Sequence, residues 1–174
     1  MKATYIVAHY FIKATGGKGT FINLTSMACA FLKPGISSYS IAKTTANRLI
    51  EYFDIGESIV EHDSDRIPHC ANSAPELPNL RSFNIHPGMV EPENGRGNAV
   101  EAFMAFAKDK AALTGGLTLY LQKPEADFLR GGFISANWDV KEMEEHREEI
   151  VEKKLLKSGF LNATLGPTGH PWTK

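Results

Sequence analysis

The chain carries, at residues 20–26, the stretch TFINLTS, and this stretch decides how it is expected to fold. The run is mostly apolar and β-branched, and it ends in a serine. Runs of this length and composition, bounded by turn residues, are typical of a buried strand. Residues 80–86 form a second such run, which leads into a Pro-Gly turn, and residues 132–136 form a third. The sequence therefore predicts three strands.

Helical periodicity occupies the segments around these strands. Apolar residues recur every three or four positions over 2–14 and 39–53, and further helices are predicted over 100–106, 113–122 and 140–157. The apolar stripe of the first helix is predicted to carry Ile6, Val7, Tyr10, Phe11 and Ala14. The apolar side of the second is predicted to carry Ile41, Ala42, Ala46, Leu49, Ile50 and Phe53, with Ser37 and Ser38 as its N-cap pair.

The order of these elements predicts the architecture. Strands that alternate with helices imply crossover connections and a parallel sheet covered on both faces. A complete doubly wound sheet uses about six strands, so three strands correspond to half of one.

Composition limits the classes of partner. The 174 residues correspond to one domain, and a hydrophobic content of 43% is enough for a packed core. The net charge is -1. The sequence contains no basic face that would bind nucleic acid and no polybasic run that would bind an anionic membrane. Two cysteines are too few for a disulfide framework, which favours a reducing, cytoplasmic location. No apolar run reaches the roughly 18 residues of a membrane-spanning helix.

Tyr39 and Lys43 form the first candidate site. Residues four apart on a helix share one face, and a cation close to a phenol favours the phenolate. Taken alone, the pair is better explained as a surface tyrosine beside a solvated lysine. Ser26 follows the first strand, however, and Pro87-Gly88 follows the second. Because ligands of open α/β sheets bind outside the carboxyl ends of the strands, these residues are expected to converge on one crevice.

Four motifs together carry a family resemblance. TFINLTS at 20–26, YSIAK at 39–43, NIHPGMV at 84–90 and the last-strand region at 130–139 resemble the short-chain dehydrogenase/reductase pattern of fungal-type members, C-terminal portion only. The resemblance implies an α/β fold, an incomplete Rossmann-like doubly wound parallel sheet with helices on both faces.

The resemblance also implies a reaction. Tyr39 would be the proton donor or acceptor, and Ser26 would hydrogen-bond the reacting carbonyl or hydroxyl. Lys43 would favour ionisation of the tyrosine and bind the nicotinamide ribose. The reaction would be hydride transfer between NAD or NADP and a small-molecule carbonyl or alcohol. A mostly apolar substrate pocket is expected to be lined by Met27, Ala28, Cys29 and Phe31.

The same resemblance also implies the cofactor contacts and the partner. Cofactor contacts are expected from Tyr39, Lys43, Pro87, Gly88 and Val90, with the backbone near Val90 touching the carboxamide. Relatives commonly form dimers through the helices that match 2–14 and 39–53, so a homo-oligomer is expected.

The chain also departs from the family pattern. The glycine-rich turn that holds a pyrophosphate is absent, the family's threonine after the Pro-Gly turn would fall near Pro92, and the upstream edge of the first strand would be bare. The alternative function is therefore an inactive fragment that lacks the dinucleotide-binding half and serves at most as an assembly partner.

The remaining segments are not expected to contribute to the site. The chain is interpreted as one N-terminally truncated domain, 1–174, with a tail at 158–174. The segment 56–75 is interpreted as an irregular insert and a translated intron, the alternative being a long surface loop. Its polar residues fit no closed zinc site, so no metal is expected; they are His62, Asp63, Asp65, His69 and Cys70.

Overall fold

A three-stranded parallel sheet forms the centre of the fold. The computed structural model describes residues 2–55, 77–91 and 103–159. Strands β1 (Gly19–Leu24), β2 (Leu80–His86) and β3 (Phe133–Ser135) lie in the order β1-β2-β3. All three predicted strands are confirmed within a residue or two at each end.

Helices precede, connect and follow these strands. They are α1 (Lys2–Thr15), α2 (Ser37–Asp54), α3 (Ala111–Tyr120), α4 (Val140–Glu145) and α5 (Arg147–Glu152), with 3₁₀ turns at Met27–Cys29 and Pro124–Leu129. The order of helix, strand, helix, strand, helix and strand is the predicted one.

Side-chain alternation along the strands shows that both faces of the sheet are covered. On β1, Phe21 packs with residues of α1 and α2, whereas its neighbour Ile22 packs against the cluster that includes α3. Successive strand residues point to opposite faces, so the two clusters lie on opposite sides of the sheet. The predicted class, an incomplete doubly wound parallel sheet with helices on both faces, is confirmed.

An aromatic stack builds the core on the α1 and α2 side. The rings of Phe11 and Phe21 lie 5.5 Å apart, and those of Phe21 and Phe53 lie 6.2 Å apart, both edge to face. Phe53 and Ile50 are fully buried. Full burial of each such side chain stabilises the fold by about 1.5–3 kcal/mol.

The buried stripe of α1 differs from the predicted one. Ala8 and Ile12 are buried, whereas Ile6, Val7 and Tyr10 are 41%, 58% and 64% exposed. Apolar residues occupy more than one side of this helix, so periodicity could not identify the side that meets the sheet. The predicted stripe instead leaves an apolar surface on α1.

The start and the apolar side of α2 also differ from prediction. Ser37 and Ser38 already belong to the helix; its N-cap is Ile36, which makes no side-chain capping bond. Ile41 is 65% exposed, and Asn47 is buried in the predicted apolar face. The helix therefore presents a mixed face to the sheet, because polar groups of β2 lie beneath it.

The predicted helix over 140–157 is wrong. The chain forms two short helices that break at His146, and residues Lys154 and Leu156 then adopt positive φ angles of 50° and 65°. The carbonyl of Leu156 accepts a hydrogen bond from the Phe133 amide at 2.8 Å. The chain turns back to reach the start of β3, and a continuous helix could not make that contact.

Several predictions concern residues outside the described ranges. These are the insert 56–75 and its polar residues, the tail beyond residue 159, the contact near Pro92 and the beginning of the helix at 100–106.

Candidate functional site

Tyr39 and Lys43 lie together on the first turns of α2. The Lys43 Nζ lies 5.7 Å from the centroid of the Tyr39 ring, and Tyr39 is 49% exposed. The same ammonium donates a hydrogen bond to the Leu24 carbonyl at 2.6 Å. Lys43 thus joins the start of α2 to the carboxyl end of β1 and places its charge beside the aromatic ring.

Ser26 begins the turn that follows β1. Its Oγ accepts a hydrogen bond from the Ala28 amide at 3.2 Å and caps the short 3₁₀ turn. Ser40, next to Tyr39, donates its hydroxyl to the Ala28 carbonyl at 2.6 Å. The turn that carries Ser26 is therefore fastened to the helical turn that carries Tyr39, as the sequence predicts.

The Pro-Gly turn follows β2 at the same edge of the sheet. Gly88 has a φ of +79°, and a Cβ there would lie 2.5 Å from the Asp109 Oδ2. Only glycine meets both the backbone angle and the close approach. Because the strands are parallel, their carboxyl ends meet at one edge, which also bears Ser26. Within the described residues, no hydrogen bond joins this turn directly to Tyr39 or Lys43.

An aspartate holds the turn in place. The Asp109 carboxylate accepts a hydrogen bond from the Met89 backbone amide at 2.6 Å and another from the Asn137 side-chain amide at 2.8 Å. The hydrogen bond from Met89, followed by that from Asn137, holds the pKa of Asp109 below its usual value. Asp109 is not predicted from the sequence, because nothing local marks it as a partner of a turn about twenty positions earlier.

The clamp on Met89 determines which backbone groups remain available. The Met89 carbonyl accepts the Asp109 amide at 3.0 Å, and Val90 pairs with Asp109 in a parallel bridge. In extended chain successive residues direct their polar groups to opposite sides, so the Val90 N–H and C=O point away from Asp109. Among the described residues neither group has a hydrogen-bond partner. One donor beside one acceptor is the pattern that complements a primary carboxamide.

Three buried asparagines support the sheet just before the site. The Asn23 side-chain amide donates to the Asn84 Oδ1 at 2.8 Å, and the Asn84 amide donates to the Asn47 carbonyl at 3.3 Å. The first bond joins β1 to β2, and the second joins β2 to α2. Asn23 and Asn84 each lie three residues before a predicted site residue, Ser26 and Pro87.

His86 lies in an apolar environment beside the turn. Its ring stacks on Phe133 with centroids 6.1 Å apart, and Phe133 contacts the Trp138 ring. Burial lowers the pKa of His86, and nearby Asp109 opposes this effect. Burial therefore favours the neutral form of the imidazole.

The cavities of the described part do not coincide with the predicted substrate pocket. A cavity of about 370 Å³ is lined by Cys29 and Phe31, two of the residues predicted for the substrate pocket. This cavity lies on the side of α2 that bears Ser40 and Ile41. Neither Tyr39 nor Lys43 lines it. Met27, predicted in the same pocket, is 48% exposed, and Ala28 is buried. Burial raises the pKa of the Cys29 thiol, which disfavours the reactive thiolate.

The larger cavity, about 930 Å³, lies at the opposite end of the sheet. Leu77, which precedes β2, and Gly132, which precedes β3, both line it. We place the candidate site at the carboxyl ends instead, because Ser26, Tyr39, Lys43 and the Pro-Gly turn are at that end and ligands of open α/β sheets bind there.

Two further features concern metals and membranes. Among residues 2–55, 77–91 and 103–159, no group of three or more His, Cys, Asp or Glu side chains could hold a metal ion. No helix in the same ranges is long and apolar enough to cross a bilayer.

Comparison with known proteins gives sequence relatives of one class. No family model matches the chain. It is 28% identical over 159 residues to a protein named short chain dehydrogenase mpl6 from Monascus purpureus, covering 90% of this chain and 48% of the relative. It is 27% identical over 157 residues to short chain dehydrogenase pgmD of Aspergillus terreus, covering 89% of this chain and 44% of the relative. A short chain dehydrogenase/reductase of Claviceps purpurea is 27% identical over 163 residues, with 91% and 49% covered.

Two solved structures resemble the chain more distantly. One is a 7 alpha-hydroxysteroid dehydrogenase complexed with NADH and 7-oxo glycochenodeoxycholic acid, with 21% identity and a TM-score of 0.47 over 70% of this chain and 44% of that one. The other is a short-chain type dehydrogenase/reductase from Mycobacterium ulcerans, with 16% identity and a TM-score of 0.47, covering 70% of this chain and 41% of that one.

The site and the sequence relatives together define the class. The fold is an open parallel α/β sheet with serine, tyrosine and lysine at its carboxyl edge. The chain is similar to short-chain dehydrogenases/reductases over about 90% of its length, as its motifs predict. It spans about half the length of the relatives that it matches.

Proposed function

We propose that the chain carries the catalytic part of an NAD(P)-dependent oxidoreductase that interconverts a carbonyl and an alcohol, with Tyr39 as the proton donor or acceptor. The observation that carries the proposal is the position of the Lys43 ammonium. Its Nζ lies 5.7 Å from the centroid of the Tyr39 ring, on the helix that follows the Ser26 turn. The ammonium places positive charge beside the ring whose hydroxyl would donate or accept the proton.

Each residue has a separate task in this proposal. Ser26 would release the Ala28 amide and hydrogen-bond the substrate oxygen, while Tyr39 delivers a proton to that oxygen or removes one from it. Lys43 supplies positive charge beside the ring and would contact the nicotinamide ribose.

The turn after β2 would hold the carboxamide end of a nicotinamide. Val90 offers an N–H and a C=O side by side, and the Asp109 clamp on Met89 fixes their direction. Pro87 and Gly88 would form the wall beside the ring. A bound nicotinamide would supply or accept the hydride, and we infer either NAD or NADP as the dinucleotide. Homo-oligomer formation through the exposed sides of α1 and α2, and a cytoplasmic location, are parts of the same proposal.

Tyr39→Phe tests the catalytic assignment. The change keeps the ring beside Lys43 and removes only the hydroxyl, so we expect kcat to fall by about 100- to 10,000-fold with cofactor affinity preserved. The assay requires a dinucleotide-binding half, which a chimera with the unmatched half of the Monascus purpureus relative would supply. Tyr52→Phe, on the same helix but lining the large cavity, is the matched control. Near-full turnover by Tyr39→Phe would rule out the mechanism.

The second candidate is a non-catalytic chain that acts at most as an assembly partner. The observation in its favour is the apolar surface on α1, where Ile6, Val7 and Tyr10 are 41%, 58% and 64% exposed. If the chimera binds NADH or NADPH but reduces no carbonyl substrate under any condition, this candidate replaces the first.

A further inference from the structure

The larger cavity lies at the amino ends of the strands, away from the candidate site. Its volume is about 930 Å³, which falls within the size range of pockets that hold small molecules. The end of α2 forms one wall, the residues that precede β2 and β3 form a second, and the chain from 150 to 158 forms a third. Among the described residues, neither β1 nor α1 contributes to its lining.

The apolar part of the lining is partly open to solvent. Val151 and Leu155, on the third wall, line the cavity and are exposed, and Ile55 at the end of α2 is exposed as well. Phe128, from the turn before β3, also lines it. Apolar side chains in a concave surface bury the apolar body of a small ligand.

One carboxylate of the lining is shared by two cations. Asp54 forms ion pairs with the Lys157 Nζ at 2.8 Å and with the Arg130 Nε at 3.3 Å, so this group of three keeps a net positive charge. The Arg130 Nη2 donates to the Leu80 carbonyl at 2.8 Å. Its Nη1 makes no hydrogen bond within the described residues, and the side chain is 26% exposed. A donor of the guanidinium therefore remains available.

A second cation lines the cavity without a counter-ion. Lys154 is exposed, and in the part of the chain that the structure describes no carboxylate lies within ion-pair distance of its Nζ. Glu51 is occupied by Arg48, which also lines the cavity. Asp127 pairs with Arg81, which does not line it. The lining therefore carries two positive charges that no carboxylate compensates.

The third wall is held in an uncommon backbone conformation. Lys154 and Leu156 have φ angles of 50° and 65°, in the left-handed region that residues with a side chain rarely adopt. The Leu156 carbonyl accepts the Phe133 amide at 2.8 Å, and the Ser158 amide donates to Glu51 at 2.8 Å. These contacts hold the turn in place, and backbone of this kind is concentrated at sites that bind ligands.

We propose that this cavity is a second binding site, separate from the proposed oxidoreductase site, for a small monocarboxylate with an apolar body. The carboxylate would contact the Lys154 ammonium and the Arg130 Nη1, because a planar carboxylate matches the guanidinium. The apolar body would cover Val151 and Leu155. The site stands whether or not the chain reduces a substrate.

Isothermal titration calorimetry of the 174-residue chain with octanoate, 1-octanol and octylammonium tests the proposal. The three probes share an apolar body and differ in charge. Octanoate is expected to bind at least about tenfold more tightly than octylammonium, with 1-octanol between them. Amide shifts in NMR spectra locate the probe: those of Gly132, Val151 and Leu155 should move, whereas those of Ser26 and Val90 should not.

Three variants at exposed positions separate charge from shape. Lys154→Met removes the unpaired cation and should weaken octanoate binding about fivefold while 1-octanol binding stays the same. Lys141→Met is the matched control, because it removes the same charge from α4, outside the cavity lining. It should bind octanoate like the wild type. Val151→Trp fills the cavity and should abolish binding of octanoate and 1-octanol alike.

Four results would overturn the proposal. Octanoate could bind no more tightly than octylammonium. Amide shifts could appear at Ser26 and Val90 and not at Val151, which would place the probe at the carboxyl ends of the strands. Lys154→Met and Lys141→Met could lose affinity equally, which would assign the effect to net charge. Octanoate affinity could be unchanged in Val151→Trp, which would place the probe outside the cavity.

Discussion

Replacing Asn84 by alanine is expected to destabilise the fold by about 1.5–4 kcal/mol. Asn84 is 1% exposed and links β1 to α2 through two side-chain hydrogen bonds. Its loss leaves the Asn23 amide without an acceptor in a buried site, which costs about 1–3 kcal/mol. The longer bond to the Asn47 carbonyl contributes about 0.5–1 kcal/mol. The total is a large part of the roughly 5–15 kcal/mol that stabilises a typical domain.

Urea unfolding followed by far-UV circular dichroism measures the effect. Asn79→Ala, at an exposed turn position before β2, is the matched control and should stay within about 0.5 kcal/mol of the wild type. The double variant Asn23→Ala/Asn84→Ala removes donor and acceptor together. It should therefore be more stable, by about 1 kcal/mol or more, than the sum of the single effects implies.

The outcome that would refute this reasoning is specific. If Asn84→Ala unfolds within about 0.5 kcal/mol of the wild type, the buried hydrogen bond does not hold β1 to β2. If the double variant shows strictly additive losses, Asn23 and Asn84 do not interact, and the support assigned to the site at the ends of the two strands is wrong.

Four further predictions follow from the site and the sequence. The 174-residue chain by itself should bind NADH and NADPH more weakly than low-micromolar in a fluorescence titration, because no described residue cradles a pyrophosphate; tight binding of either would contradict this. The Met89 amide resonance should shift as pH falls below about 4, because protonation of Asp109 weakens its hydrogen bond to that amide. The pKa of Asp109 is lowered in the folded state, so the stability that its carboxylate contributes is lost as pH falls. Asp109→Asn should abolish the titration. Stability should decrease as pH falls below about 6.5, because the unfolded state protonates His86 more readily than the folded state, and His86→Gln should reduce that slope. Mature messenger RNA should lack codons 56–75 if these codons are intron sequence; their presence there and in close relatives would refute that interpretation.

The strand and helix pattern was readable because each element carries a local signal. Residues 20–25 and 80–86 are dense in apolar and β-branched side chains, and the helix that carries Tyr39 has a clear period. The break at His146 left no comparable signal. It depends on where the Phe133 amide finds an acceptor, and that acceptor is 23 positions further along the chain, at Leu156.

The sequence by itself predicted the class of fold, the resemblance to short-chain dehydrogenases/reductases and the candidate site residues Ser26, Tyr39, Lys43 and the Pro-Gly turn, because a four-residue spacing on a helix and the ends of two strands are local features. Only the tertiary structure showed that Asp109 clamps that turn and that three asparagines support the strands beneath it. It alone also showed that Lys43 holds the last carbonyl of β1. The physical reason is that these contacts join residues 19 to 61 positions apart, and hydrogen bonds between distant segments depend on how helices and strands pack, which no local pattern records.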